Sequence, residues 1–216
     1  IELFKETITN LKSKYKKVPT LAVILVGDNP ASLIYVKNKQ KRCDEIGINS
    51  LSIHLPNNTS ETELLKTITK LNKDKKVNGI LVQLPLPSHI NEFTVINAIA
   101  PEKDVDGFNI INKGLLSTTH NSNFIPCTPL GILKLLENYK IKIDGKNVVI
   151  LGRSNIVGKP MAELMLAKNA TITICHSHTK HLKEITKTAD ILISAMGTKA
   201  NQITASYIKP KACIVD

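Results

Sequence analysis

Short apolar runs alternate with longer stretches of helical spacing along most of the chain. The runs at 20–26, 50–54 and 79–82 are bounded by polar or turn residues and rich in Val, Ile and Leu, which predicts buried strands. Between them, 30–46 and 60–73 repeat apolar positions every three or four residues among lysines and glutamates, which predicts amphipathic helices. A polar, Asn-rich stretch at 109–123 interrupts the pattern. Beyond it, 128–139 reads as a helix with Thr128 as N-cap and Pro129 at the first helical position. A second alternating set follows, with strands at 147–151, 171–175, 190–195 and 212–215 and a helix at 161–168. Such alternation predicts parallel sheets covered by helices, in two α/β domains spanning 1–121 and 122–216. The sequence stops at Asp216, at the end of a predicted strand, and is expected to be a piece lacking its last segment.

Composition narrows the function classes. Hydrophobic residues make up 42% and charged residues 22%, ordinary for a folded domain. The apolar runs are too short for a bilayer, and the Lys-rich start at 1–17 has neither the apolar core nor the cleavage site of a secretory signal. The expected location is therefore the cytoplasm, with no membrane partner. Cys43, Cys127, Cys175 and Cys213 form no Cys-x-x-Cys pair, so reduced, mostly buried thiols are expected and no metal site. The net charge of +11 raises nucleic acid as a partner, but the basic residues are lysines scattered along the chain, apart from Arg42 and Arg153. Aromatics are 4%, and no basic stripe is interleaved with stacking rings, which argues against nucleic acid. Small polyanions suit such a charge as well.

The segment Gly-Arg-Ser-Asn-Ile-Val-Gly-Lys-Pro at 152–160 lies between a predicted strand and a predicted helix. There, backbone N–H groups and the helix dipole can meet a phosphate. Its spacing departs from Gly-x-Gly-x-x-Gly, so an ordinary β-to-α turn competes with a nucleotide loop. The next strand runs into His176-Ser177-His178-Thr179 without the carboxylate that would hold a ribose 2′-hydroxyl. That favours NADP over NAD, with Arg153 placed to fork onto the 2′-phosphate. His176, His178 and His181 could instead be metal ligands, but apart from Cys175 no nearby acid or thiol completes a familiar set.

In 30–42, helical spacing puts Ser32, Tyr35 and Lys39 on one face, where a Tyr and a partly desolvated Lys can support proton transfer. A solvated Lys-rich surface is the plainer reading. Short-chain dehydrogenases also carry Tyr-x-x-x-Lys, but after their nucleotide loop, which is the reverse of the order here. Gln83, in the loop stiffened by Pro85 and Pro87, and Asp106, in an Asp-Gly turn, complete the candidate set.

Taken in order, 21–28, 31–39, 79–87, 101–107, 126–129 and 152–160 resemble the bifunctional methylenetetrahydrofolate dehydrogenase/cyclohydrolase family across nearly the whole chain. The resemblance implies two α/β domains flanking a cleft, the second a Rossmann-type NADP-binding domain, and a homodimer. It implies NADP-dependent oxidation of 5,10-methylene-tetrahydrofolate and hydrolysis of the methenyl product to 10-formyl-tetrahydrofolate. On that mapping Lys39 is the catalytic lysine, Gln83 orients it, Tyr35 positions the folate and Asp106 binds the pterin, with Ser32 beside them. The NADP contacts expected are Gly152, Arg153, Ser154, Gly158, Ser177 and Thr128. Two departures stand out. His178 occupies a place where the family often has Lys or Arg, which implies pH-dependent affinity for a 2′-phosphate, and the family's Pro-Gly-Gly loop and final helix do not occur before Asp216. The rival activities are another NADP dehydrogenase, acting on a shikimate-like hydroxy acid, and non-enzymatic RNA binding.

Overall fold

The computed structural model describes residues 2–120, 122–197 and 203–216. Its internal contacts divide the chain into two units, Ile1–Asn109 and Ile110–Asp216.

In the first unit the elements run α1 (Glu2–Tyr15), β1 (Thr20–Val26), α2 (Pro30–Ile46), β2 (Asn49–Leu55), α3 (Glu61–Lys73), β3 (Gly79–Val82) and α4 (Glu92–Ala98). The sheet is parallel in the order β2-β1-β3. Side chains alternate between the faces of a strand, so the unbroken apolar run of β1 supplies two cores. Ala22, Ile24 and Val26 pack with Leu64, Ile68 and Leu71 of α3 and Val95 of α4, while Val23 and Leu25 pack with Val36 of α2 and Leu81. Local signals delimit the helices. Ser60 and Glu63 close a capping box at the start of α3, and Gly47, with φ at 80°, ends α2 in the left-handed region that a side chain would disfavour.

The second unit runs α5 (Ile110–Thr119), α6 (Cys127–Asn138), β4 (Asn147–Leu151), α7 (Gly158–Leu166), β5 (Thr171–Cys175), α8 (Leu182–Thr186), β6 (Ile191–Ser194), a 3-10 turn at Ala205–Tyr207, and β7 (Cys213–Val215). Its parallel sheet has the order β5-β4-β6-β7. Val148 and Ile150 face Met161, Met165, Leu116 and Leu133. Val149 and Leu151 face the opposite core with Cys175 and Leu192.

Both sheets reverse direction beside their first strand. The chain leaves β1 for β2 on one side and reaches β3 on the other, and β4 stands likewise between β5 and β6. Crevices outside the carboxyl ends of strands at such reversals are where parallel sheets bind ligands.

Two expectations are corrected. The polar stretch at 109–123, to which the pattern assigns no element, contains α5, because Leu116 and Asn112 are buried and the helix packs on α7. Tertiary burial outweighs the weak helix propensity of its Asn, Thr and Gly residues. By its contacts α5 accordingly belongs to the second unit. Helix α6 begins at Cys127 with Pro126 as its N-cap and no side-chain cap bond, so Thr128 is inside the first turn. Pro129 is still tolerated there, since first-turn N–H groups lack intrahelical partners.

Candidate active site

Helix α2 is set down at the carboxyl end of β1 by a local device: the Asn29 side chain accepts the Ser32 N–H at 3.1 Å, and Pro30 starts the helix. Ser32, Val36 and Cys43 form its buried stripe, and Lys39 falls on that stripe between them. Its ammonium ends on Gln83, donating to Oε1 at 3.0 Å. Gln83 follows β3 directly. Its backbone N–H donates to Ile24 O at 2.8 Å and its amide nitrogen to Leu84 O at 2.8 Å, which leaves Oε1 turned towards the lysine. The expected face of Ser32, Tyr35 and Lys39 therefore divides. Ser32 is 2% exposed and lies on the buried stripe, whereas Tyr35 is 61% exposed and continues an open apolar surface with Leu33 and Ile34.

Asp106 is half-buried in a turn closed by the Gly107 N–H donating to Asp104 O at 3.0 Å, with Gly107 at φ 66°. Burial raises the Asp106 pKa above the ordinary aspartate value, the Lys39 charge opposes that shift, and the Asp104 charge adds to it. A carboxyl of this kind contributes stability below its unfolded pKa, near about 4, and loses that contribution as pH rises through the folded value. Asp106→Asn is therefore expected to melt above wild type at pH 8, with the difference shrinking as pH falls towards 4. Thermal melts across that range check it; an Asn variant that melts below wild type at pH 8 contradicts it.

The second unit holds a cavity of about 560 Å³ at the carboxyl ends of β4, β5 and β6, lined among others by Gly152, Arg153, Ser154, His176, Ser177 and Thr179. Its floor tolerates only glycine. A methyl group at Gly152 would run into the carbonyl oxygen of Ala195, and one at Gly158 into the carbonyl oxygen of Gly152. Backbone thus approaches backbone, leaving space above the loop, as a dinucleotide requires. The Ser154 hydroxyl accepts the N–H groups of Val157 and Gly158 at 3.0 and 3.3 Å and so holds the entry to α7. The 176–179 turn is closed reciprocally, His176 N–H to Thr179 Oγ1 and Thr179 N–H to His176 O, each at 2.8 Å. His178 N–H donates to His176 Nδ1 at 3.2 Å, so a neutral His176 carries its proton on Nε2.

Gly152, Arg153, Ser154 and Ser177 therefore come together on one cavity wall. Gly158 is buried behind the loop and shapes it from below, and Thr128 is exposed on α6 and does not line the cavity. His176 and Thr179 line the cavity although neither was among the expected NADP contacts; a Thr three residues after His176 is a recognisable turn signal. Among the described residues no group of three His, Cys, Asp or Glu is placed to hold a metal ion. Cys43 and Cys175 are buried, Cys213 is partly buried and Cys127 is exposed; all are free thiols.

Comparison with known proteins follows this division of the chain. The model of the tetrahydrofolate dehydrogenase/cyclohydrolase catalytic domain matches residues 2–106, and that of the NAD(P)-binding domain of the same family matches 126–216. The bifunctional protein FolD of Agathobacter rectalis is 56% identical over 212 residues, covering 98% of this chain and 75% of the relative. The crystal structure of the bifunctional enzyme FolD, a methylenetetrahydrofolate dehydrogenase/cyclohydrolase from Campylobacter jejuni, superposes with a TM-score of 0.97 at 50% identity, covering 100% of this chain and 76% of that one. A Trypanosoma brucei methylenetetrahydrofolate dehydrogenase-cyclohydrolase, solved with NADP and an inhibitor, superposes at 0.94 with 34% identity, covering 99% and 73%. With both family models matched in order and relatives above half identity over nearly its whole length, the chain belongs to the tetrahydrofolate dehydrogenase/cyclohydrolase family.

Proposed function

We propose that this chain oxidises 5,10-methylene-tetrahydrofolate with NADP and hydrolyses the methenyl product to 10-formyl-tetrahydrofolate. The observation that carries the reading is the Lys39–Gln83 hydrogen bond at the carboxyl ends of β1 and β3, with Asp106 within reach of the Lys39 charge. A lysine held by an amide with no other free orientation presents its ammonium at a fixed point, which is what a proton-transfer group needs.

When bound, NADP supplies the electron-pair acceptor for the C–H bond broken at the methylene carbon. Gly152, Arg153, Ser154 and Ser177 would hold it. The cavity wall offers backbone, hydroxyl and guanidinium donors, and the strand end at Cys175 leads to His176 and Ser177 with no carboxylate to repel a 2′-phosphate. In the hydrolytic step a C–O bond forms between water and the methenyl carbon. The water loses both of its protons, one released to solvent and one ending on the ring nitrogen as the bond from that carbon to the nitrogen breaks. Lys39 handles these protons, Gln83 orients it, Asp106 accepts hydrogen bonds from the pterin's amino and ring N–H groups, and the open ring of Tyr35 stacks on the substrate.

The direct test is an absorbance assay with methylene-tetrahydrofolate, run with NADP and separately with NAD. Turnover with NADP and formation of the 10-formyl product are expected; no turnover with either cofactor overturns the reading. Arg153→Ala should weaken NADP binding by about 1.5–3 kcal/mol, the scale of a hydrogen bond to a charged group, and leave NAD binding unchanged. Equal losses for both cofactors would place Arg153 away from the 2′-phosphate.

The same reading extends to a cytoplasmic homodimer whose product feeds purine synthesis. Four free thiols suit a reducing compartment, and Leu135, Tyr139 and Leu166 leave apolar surface open on α6 and α7 of the single chain. Light scattering on the purified protein tests the dimer, and a monomer at micromolar concentration removes it.

A further inference from the structure

The turn that presents Asp106 is tied to the first sheet from two sides. Ile80 of β3 donates its N–H to Lys103 O at 2.7 Å and forms an isolated parallel bridge with Asp104. Beside it, Val105 lies so close to β3 that a methyl group at Gly79 would collide with its side chain. From the other side the Lys103 ammonium donates to Leu71 O at 3.0 Å and to Asn72 O and Asp74 O at 2.8 Å each. Those carbonyls end α3, where helical partners run out and the helix dipole favours a cation.

Asp104 is 1% exposed. Its Oδ2 accepts the Asn109 N–H at 2.8 Å, and its own N–H donates to Ala100 O at 3.0 Å. Its charge also acts on Asp106 two residues along, where it reinforces the effect of burial and opposes that of Lys39.

We propose that Lys103 and Asp104 are positioning residues for the folate reaction: Lys103 clamps the Asp106 turn between α3 and β3, and the buried Asp104 carboxylate sets the charge beside Asp106. The proposal rests on the reading of Asp106 as the pterin ligand. Because β3 also leads into Gln83, the clamp fixes Asp106 relative to Gln83 and, through it, to Lys39.

The experiment measures kcat and KM for hydrolysis of methenyl-tetrahydrofolate from pH 5 to 9, with melting temperatures and NADP affinity alongside. In Asp104→Asn a like charge is removed, so Asp106 ionises more readily and the acid limb of kcat/KM should move to lower pH. Lys103→Met frees the turn and should raise the folate KM on the order of tenfold to 100-fold, the scale of a small misplacement of a binding group, with NADP affinity unchanged and Lys103→Arg restoring it. A merely structural role would lower stability without moving the acid limb. An unmoved limb in folded Asp104→Asn, or a wild-type KM in Lys103→Met, overturns the proposal, and if Asp104→Asn does not fold the lysine pair decides alone. Asp106→Asn separates the two levels. A wild-type folate KM there defeats the reading of Asp106 itself, whereas loss of affinity there with no effect at Lys103 and Asp104 defeats only the clamp.

Discussion

Replacing Lys39 by Met is expected to slow hydrolysis of methenyl-tetrahydrofolate by at least about 10²-fold, the usual scale for a general acid or base, while NADP reduction by the methylene substrate persists. The two steps make different demands. Oxidation needs donor and acceptor held in line, whereas hydrolysis needs one proton removed and another delivered. Met fills most of the lysine stem's volume on the half-buried stripe of α2, so the loss is chemical rather than a matter of packing. Gln83 Oε1 loses its 3.0 Å partner but is only partly buried, so water can replace it at small cost. A second effect follows from electrostatics. Lys39 lowers the Asp106 pKa, so its removal should move any acid limb of folate binding to higher pH, opposite to the shift expected for Asp104→Asn. Single-turnover hydrolysis and NADPH absorbance, each followed across pH, check both statements. A variant that hydrolyses the methenyl compound at the wild-type rate would reduce Lys39 to a structural partner of Gln83.

Gly152→Ala should be the most damaging small substitution in the second unit. At φ 120° an L-residue is strained by about 1–3 kcal/mol, and the added methyl meets the Ala195 carbonyl for an overpacking cost of about 1–3 kcal/mol more. Neither side can move away easily. Gly152 N–H is bonded to Cys175 O and Ala195 N–H to Leu151 O, each at 2.8 Å, so displacing the loop pulls on β4, β5 and β6 together. Against total stabilities of about 5–15 kcal/mol, this predicts a large fall in melting temperature and loss of NADP binding, because the backbone can no longer sink beneath the dinucleotide. Gly131→Ala is the control: α6 leaves open space there, and alanine should stabilise the helix by about 0.5–1 kcal/mol. Calorimetry and NADP titration of the two variants check the contrast. Unchanged melting and NADP affinity in Gly152→Ala would mean that the loop does not form the cavity floor.

Much of this architecture follows from local chemistry. The apolar run at 20–26 could only be a strand buried on both faces, and Asn29-Pro30 and Ser60 with Glu63 mark helix starts that the structure places at those residues. The glycine loop between β4 and α7 and the missing acid after Cys175 are legible for the same reason, since each depends on residues a few positions apart. Helix α5 is not legible in this way. Its Asn, Gly and Thr residues argue for a loop, and only burial of Leu116 and Asn112 against the second unit outweighs them. Thr128 looked like a cap because residue type favours it there, but Pro126 already holds an extended backbone and starts the helix earlier.

What the sequence determined by itself was the order of the strands, the parallel sheets they build, and the candidate chemistry of Lys39, Gln83, Asp106 and Arg153, because periodicity and turn residues act over one or two helical turns. Tertiary structure alone decided which of these meet. Lys39 and Gln83 are 44 positions apart and pair because parallel crossovers bring α2 and the end of β3 to the same edge of the sheet. Lys103 reaches the end of α3, 29 to 32 positions away, and Gly158 backs onto Gly152, through contacts that no local pattern encodes. The physical reason is that side-chain type and spacing fix a residue's own backbone, while its partners depend on how separate elements share a buried core.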